Sequence, residues 1–118
     1  MNPQLPTVTV DGTATSITVR CAGDIDLATV GDLNTAVDHA LTAAPATLVI
    51  DLSDVRFPGS CGLATLARTD EHCRANENRL VVVLPPDNAA YRALQITGLL
   101  DVLDVVDTVP HRRQHNPV

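Results

Sequence analysis

The sequence predicts an α/β fold in which about five strands form an open mixed sheet and three to four helices pack on it. Two short apolar runs rich in Val, Ile and Leu, at 48–52 and 80–84, have the pattern of strands buried on both faces. Apolar residues with helical spacing lie before, between and after these runs. Because strand and helix alternate, we expect right-handed crossover connections and a mostly parallel sheet.

The chain begins with a predicted hairpin that supplies an antiparallel edge to this sheet. Two segments alternate apolar and polar residues on either side of an Asp11-Gly12 turn signal. Cys21 lies on the apolar face of the alternating second segment, so we interpret it as a buried structural thiol. The apolar positions of the two segments are Val8, Val10, Ile17, Val19 and Cys21.

Three helices follow from the spacing of apolar residues. The first is predicted over residues 29–43 and the second over residues 61–76. The third is predicted over residues 88–97, with Asp87 as the N-cap candidate and Gly98 as a left-handed stop. A short strand around 102–106 completes the order β, β, α, β, α, β, α, β.

The bulk composition fits one acidic domain. A chain of 118 residues is long enough for a single core, and we expect a domain over 1–107 and a flexible tail over 108–118. The formal net charge is −6 at pH 7, and all eight basic residues are Arg. This balance argues against direct binding to nucleic acid or to an anionic membrane, and it favours basic partners.

Three cysteines cannot all pair within one chain, and the sequence shows neither a signal-peptide pattern nor an apolar run of about 18 residues. We therefore expect a cytoplasmic protein with free thiols. The cysteines and histidines lack the spacing of a metal site, so neither a metal nor a cofactor is expected.

The most informative segment is LVIDLSDVRFPGSCGL, residues 48–63, in which an apolar strand runs through a Pro-Gly turn to a helix start. Ser60 stands at that start, where backbone N–H groups lack partners. A hydroxyl there can serve as a nucleophile, an anion ligand or a phosphate acceptor. The loop at 23–26 also leaves a strand at its carboxyl end, so we expect the two loops to lie side by side.

Three segments together resemble the STAS domain of anti-sigma factor antagonists. They are GDIDLATVGDL early in the chain, LVIDLSDVRFPGSCGL in the middle and ITGLLDVLDV late. The family signature is close to Asp-Leu-Ser, a short spacer, an apolar pair and Asp-Ser-Ser-Gly-Leu. Asp51-Leu52-Ser53 is intact here, and Ser60, Gly62 and Leu63 match.

The resemblance implies a regulatory function. In the family, the first serine of the signature is phosphorylated by the partner anti-sigma factor, itself a serine kinase, and Ser60 holds that position. The unphosphorylated protein would bind the anti-sigma factor and so release a sigma factor, and a phosphatase would be a possible further partner. The implied partner surface comprises Asp24, Asp26, Gly59, Ser60, Cys61 and Gly62.

The chain departs from the family pattern around the serine. Gly59 stands where the family usually has Asp, Pro58 where an aliphatic residue is usual, and Cys61 where a second small hydroxyl residue is common. These departures bear on recognition by the kinase. The closing helix of the family is also not evident in the short polar stretch at 110–118.

Three other interpretations stay open at this point. Ser60 or Cys61 would be a nucleophile in an enzyme, although the G-x-S-x-G elbow is not present. The domain would otherwise be a STAS module that acts without phosphorylation, as a scaffold or as an accessory to a transporter or lipid-trafficking complex. In the simplest case, Ser60 would be an ordinary N-cap hydroxyl without a regulatory function. Asp24 and Asp26 would then only form turns.

Overall fold

The computed structural model describes residues 8–13 and 15–108. The strands are β1 (Val8–Gly12), β2 (Ser16–Gly23), β3 (Thr47–Val55), β4 (Arg79–Val83) and β5 (Val105–Val106). The helices are α1 (Val30–Thr42), α2 (Gly59–Ala75), α3 (Ala89–Thr97) and α4 (Leu99–Val102). The predicted tail at 108–118 lies, apart from Thr108, outside the described residues.

The strands form one five-stranded sheet in the order β1-β2-β3-β4-β5. The pair β1–β2 is antiparallel, and the pairs β2–β3, β3–β4 and β4–β5 are parallel. The predicted fold class, a mixed sheet with an antiparallel N-terminal edge and three to four helices, is confirmed. A register shift between Arg20 and Ala22 interrupts the β2–β3 pairing just before β2 ends.

The core lies between the sheet and its helices. Alternate residues of β3 and β4, including Leu48, Ile50 and Val82, join apolar residues of α1, α2 and α3 in one cluster. The residues between them on the two strands, Val49, Val81 and Val83, form a second cluster on the other face. Both sets are almost fully buried, which confirms that β3 and β4 are strands buried on both faces. Strand side chains alternate between faces, so each continuous apolar run serves both clusters.

Several predicted boundaries needed correction. The strand predicted over 102–106 is only Val105–Val106, because Leu99–Val102 forms the short helix α4. Gly98, with φ of 83°, is the C-cap of α3 and also the N-cap of α4. The second helix begins at Gly59 rather than at 61.

The N-cap of α3 is Asn88 and not Asp87. The Asn88 side chain accepts a hydrogen bond of 2.7 Å from the backbone N–H of Ala90, and its amide donates to the carbonyl of Ser53 at 3.0 Å. One amide side chain therefore caps α3 and ties it to the end of β3, which a carboxylate, having no N–H, does not do.

No helix among the described residues combines the length and apolar character needed to cross a membrane.

Candidate functional site

Ser60 is exposed and is the second residue of α2. The helix N-cap is Pro58, no side chain caps this end of the helix, and its first turn holds no acidic residue. The interpretation of Ser60 as the N-cap hydroxyl is therefore wrong. The hydroxyl instead lies beside backbone N–H groups that carry the partial positive charge of a helix N-terminus.

The two loops predicted to lie side by side are joined by backbone hydrogen bonds. Arg56 donates to the carbonyl of Gly23 at 3.0 Å, and Ile25 donates to the carbonyl of Phe57 at 2.8 Å. The loop after β2 and the loop after β3 thus form a continuous surface next to Ser60. The expectation followed from parallel strands, whose carboxyl ends meet at one edge of the sheet.

Two glycines allow this close contact. Gly59 has φ of 61°, and a Cβ there would lie 2.5 Å from the carbonyl oxygen of Ile25. A Cβ on Gly62 would lie 3.0 Å from the Ile25 side chain, which is almost fully buried. Gly62 is itself buried, so it shapes the surface from below and is not part of what a partner would contact.

The two aspartates of the first loop differ in what they contact. The Asp26 carboxylate accepts hydrogen bonds from the backbone N–H groups of Ala28 and Thr29, at 2.9 and 3.1 Å, and so forms the turn that leads into α1. Asp24 is half exposed and lies 3.5 Å from the guanidinium of Arg56. Asp24 is therefore the more available of the two for a partner, whereas Asp26 has the turn-forming function.

Two exposed apolar side chains belong to the two joined loops and were missed by the sequence reasoning. Leu27 is 87% exposed and Phe57 is 64% exposed. Phe57 is the only phenylalanine of the chain, and it stands directly before the Pro-Gly turn. Leu27 falls outside the apolar repeat of α1. An apolar residue outside a helical repeat and a lone phenylalanine before a turn were the sequence signals that could have identified these two exposed residues. We call Leu27, Phe57 and Ser60 with Asp24 and Arg56 the corner surface.

The Asp-Leu-Ser part of the motif is structural. The Asp51 carboxylate is buried, accepts a hydrogen bond from the Arg20 guanidinium at 3.1 Å and accepts another from the backbone N–H of Ser53 at 3.0 Å. The Ser53 hydroxyl also donates to it. These bonds fix the end of β3 beside β2, and so they position the turn that presents Ser60.

The three cysteines have different environments. Burial raises the pKa of the Cys21 thiol, and burial together with the Asp70 carboxylate raises that of Cys73. The expectation that Cys21 is a core residue is confirmed by its burial. Cys61, next to Ser60, is partly exposed and packs against the main core cluster.

This arrangement suits reversible docking of another protein. A phosphate on Ser60 would meet the favourable end of the α2 dipole, which contributes about 0.3–1 kcal/mol at an exposed site. The same phosphate would add about −1.5 to −2 charges to a surface that also exposes Leu27 and Phe57. The free domain would therefore tolerate an anion that an apolar interface would exclude.

Comparison with known proteins places this geometry in a family. The family model described as "Mlab, STAS domain" matches residues 8–106. The anti-sigma-F factor antagonist RsfA of Mycobacterium tuberculosis is 37% identical over 98 residues, which cover 79% of this chain and 73% of RsfA. RsfB of the same organism, also an anti-sigma-F factor antagonist, is 42% identical over 69 residues, 58% of this chain and 57% of RsfB.

The match thus spans little more than half the length of RsfB. Among solved structures, an anti-sigma factor antagonist from Mycobacterium paratuberculosis superposes with a TM-score of 0.79 at 33% identity, covering 89% of this chain and 88% of that one. The strand order, the motif at the start of α2 and these matches agree. The chain belongs to the STAS-domain family.

Proposed function

We propose that this chain is an anti-sigma factor antagonist, and that phosphorylation of Ser60 switches off its binding to the anti-sigma factor. The observation that carries the proposal is the exposed Ser60 in the first turn of an uncapped helix, next in sequence to a pair of hydrogen-bonded loops that expose Leu27 and Phe57. The relatives RsfA and RsfB are antagonists of an anti-sigma-F factor. The proposed partner is an anti-sigma factor, and the serine kinase activity proposed for it is what the family resemblance implies.

The physical basis is a difference between the free and the bound protein. When the partner covers the corner surface, burial of Leu27 and Phe57 stabilises the complex by about 25 cal/mol per Å² of apolar area. A neutral hydroxyl at Ser60 fits such an interface at little cost. A phosphate there would be desolvated against apolar groups, and a penalty of about 3 kcal/mol weakens binding about a hundredfold.

Binding measurements on Ser60 variants test the proposal. We expect Ser60→Ala to bind the anti-sigma factor about as well as the unmodified protein, and Ser60→Asp to bind at least about tenfold more weakly, since one charge is less than a phosphate carries. The matched control is Ala67→Asp, which adds the same charge to an exposed position of α2 about 10 Å further along the helix. That control should bind normally.

A kinase assay tests the modification itself. The chain is incubated with the anti-sigma factor and ATP, and mass spectrometry locates any phosphate. A phosphate on Ser60 that is lost in Ser60→Ala supports the proposal. Equal affinities of the Ala and Asp variants, with no phosphate on Ser60, would instead favour a STAS module that acts as a scaffold without phosphorylation.

A further inference from the structure

The strand β1 forms one edge of the sheet, and among the described residues it pairs with β2 alone. Its sequence is VTVDG, and four of its five residues are exposed. Edge strands are usually protected by charged side chains, above all lysine, by proline or by a covering segment, because their free N–H and C=O groups pair readily with another strand. The one charged residue of β1 is Asp11, and the strand has no lysine or proline.

The hydrogen-bond pattern of the hairpin shows which groups of β1 face outward. The backbone N–H of Thr13 donates to the carbonyl of Ser16 at 2.9 Å, so this pair is a hydrogen-bonded one. Hydrogen-bonded and non-hydrogen-bonded pairs alternate along an antiparallel ladder. In the observed register, the N–H and C=O groups of Thr9 and Asp11 therefore face β2. Those of Val8, Val10 and Gly12 face the free edge.

A groove runs beside this edge between β1 and the C-terminal half of α1. Its volume is about 300 Å³, and it is lined by Val10, Ile17, Ala40 and Ala43 among others. The side chain of Val10 is 48% exposed at its mouth, one of the few large apolar side chains of the described chain with such exposure. A strand added to β1 would cover both the unpaired backbone groups and this apolar opening.

We propose that the edge of β1 binds β1 of a second copy of this chain, in antiparallel register centred on Val10. In that register the two Val10 residues exchange two backbone hydrogen bonds, and each of the two Val8–Gly12 pairs exchanges two more. Every outward group of the strand is then paired. The two Val10 side chains meet directly across the interface, on the face that carries the grooves.

Charge selects this register over the next one. Centred on Val10, the strand places Asp11 of one copy opposite Thr9 of the other. A shift that centres the pairing on Asp11 would place two carboxylates directly opposite each other, which is destabilising. A shift in the other direction, centred on Thr9, would place Gly12 opposite Pro6, which has no N–H to donate. The sequence VTVDG is thus self-complementary in one register only.

The pairing keeps Ser60 away from the new interface in both copies. Antiparallel pairing at the edge relates the copies by a two-fold axis perpendicular to the sheet, so the carboxyl ends of their parallel strands point in opposite directions. Ser60 follows β3, two strands away from the edge, which is about 10 Å. The dimer therefore presents two corner surfaces at opposite ends, and it does not depend on the function proposed for them.

Sedimentation equilibrium of the 118-residue chain and two charge variants tests this proposal. One short strand per copy makes a small interface, so we expect a weak, reversible dimer. Its dissociation constant should lie below about 1 mM. Val10→Lys puts two positive charges opposite each other and should weaken the dimer at least about tenfold. Thr9→Lys adds the same charge to the same strand but places it opposite Asp11 of the second copy, so it should weaken the dimer far less than Val10→Lys does, although Arg20 of β2 lies opposite it within the monomer.

A monomer at about 1 mM, or equal effects of the two lysine variants, would overturn the proposal. Val10→Pro adds a test of the backbone, because the N–H that proline lacks is one that faces outward and is not used within the monomer. We expect this variant to have about the same free energy of unfolding as the parent chain and to stay monomeric. Should it fail to fold, amide exchange decides: with rising concentration, protection should increase at Val8, Val10 and Gly12 and stay constant at Thr9 and Asp11.

Discussion

Gly59 shows how a single departure from the family pattern follows from local geometry. Its φ of 61° is a left-handed conformation, and a Cβ would lie 2.5 Å from a backbone oxygen of the neighbouring loop. Gly59→Ala should therefore lower the free energy of unfolding by more than about 2 kcal/mol, about 1 from the conformation and the rest from the clash. Gly59→Asp, which restores the usual family residue, should lose at least as much. Urea denaturation measures both.

Gly98→Ala is the matched control for this prediction. Gly98 also has a positive φ, 83°, but nothing lies within 4 Å of the position of its Cβ. Only the conformational cost of about 1 kcal/mol is expected there. Equal losses at the two glycines would mean that the contact with the loop after β2 does not constrain Gly59.

Leu27 and Phe57 are the residues expected to contribute most to docking. Each is largely exposed, so Leu27→Ala and Phe57→Ala should change the free energy of unfolding by no more than about 0.5 kcal/mol. Each should weaken binding to the anti-sigma factor about tenfold or more, since apolar anchors dominate interface energetics. Titration calorimetry with the purified partner provides the measurement.

Ile96 supplies the comparison for these two residues. It is 74% exposed in α3, so Ile96→Ala removes a similar apolar area from another part of the surface. Its affinity for the partner should match that of the parent chain. A loss of affinity in Ile96→Ala as large as in Phe57→Ala would place the interface elsewhere.

At the level of elements, the end of β3 depends on one buried carboxylate. Asp51→Ala leaves the backbone N–H of Ser53 without its acceptor and Arg20 without its partner. The expected loss in the free energy of unfolding is about 1–3 kcal/mol. Asp54→Ala removes an exposed carboxylate from the same strand and should change stability by less than about 0.5 kcal/mol. Thermal denaturation that gives the same loss for both variants would refute the structural function of Asp51.

The elements differ in how well the sequence predicts them. The strands β3 and β4 and the helix α1 were predicted within a few residues, because continuous apolar runs mark the strands and a helical apolar repeat marks the helix. The strand predicted over 102–106 was wrong at its start, since the four residues of α4 that precede β5 are too few to show a helical repeat. The cap of α3 was also wrong, because Asp87 and Asn88 are both good caps and only the contact with Ser53 separates them.

At the level of the whole molecule, the sequence predicts the corner surface only in part. Parallel strands bring their carboxyl ends together, so the pairing of the loops at 23–26 and 56–60 could be predicted from topology alone. The exposure of Leu27 and Phe57 could not, because it depends on the angle at which each loop leaves the sheet. The same holds for the outward groups of β1, which only the hairpin register identifies.

The stability of the whole fold should decrease above pH 9.0. Burial raises the pKa of Cys21 and Cys73 in the folded protein above the ordinary thiol value of 9.0. Above that pH the unfolded chain loses these two protons while the folded protein keeps them, so the free energy of unfolding falls as pH rises. Below it both states are protonated, and the contribution is constant. The chain has no lysine and one tyrosine, so few other groups titrate in this range.

Urea denaturation between about pH 8 and about pH 10 measures this effect. The double variant Cys21→Ala, Cys73→Ala should be less stable at neutral pH, because it leaves cavities in the core, but its stability should change little over the same range. A slope that persists in the double variant would assign the alkaline loss of stability to groups other than the buried thiols.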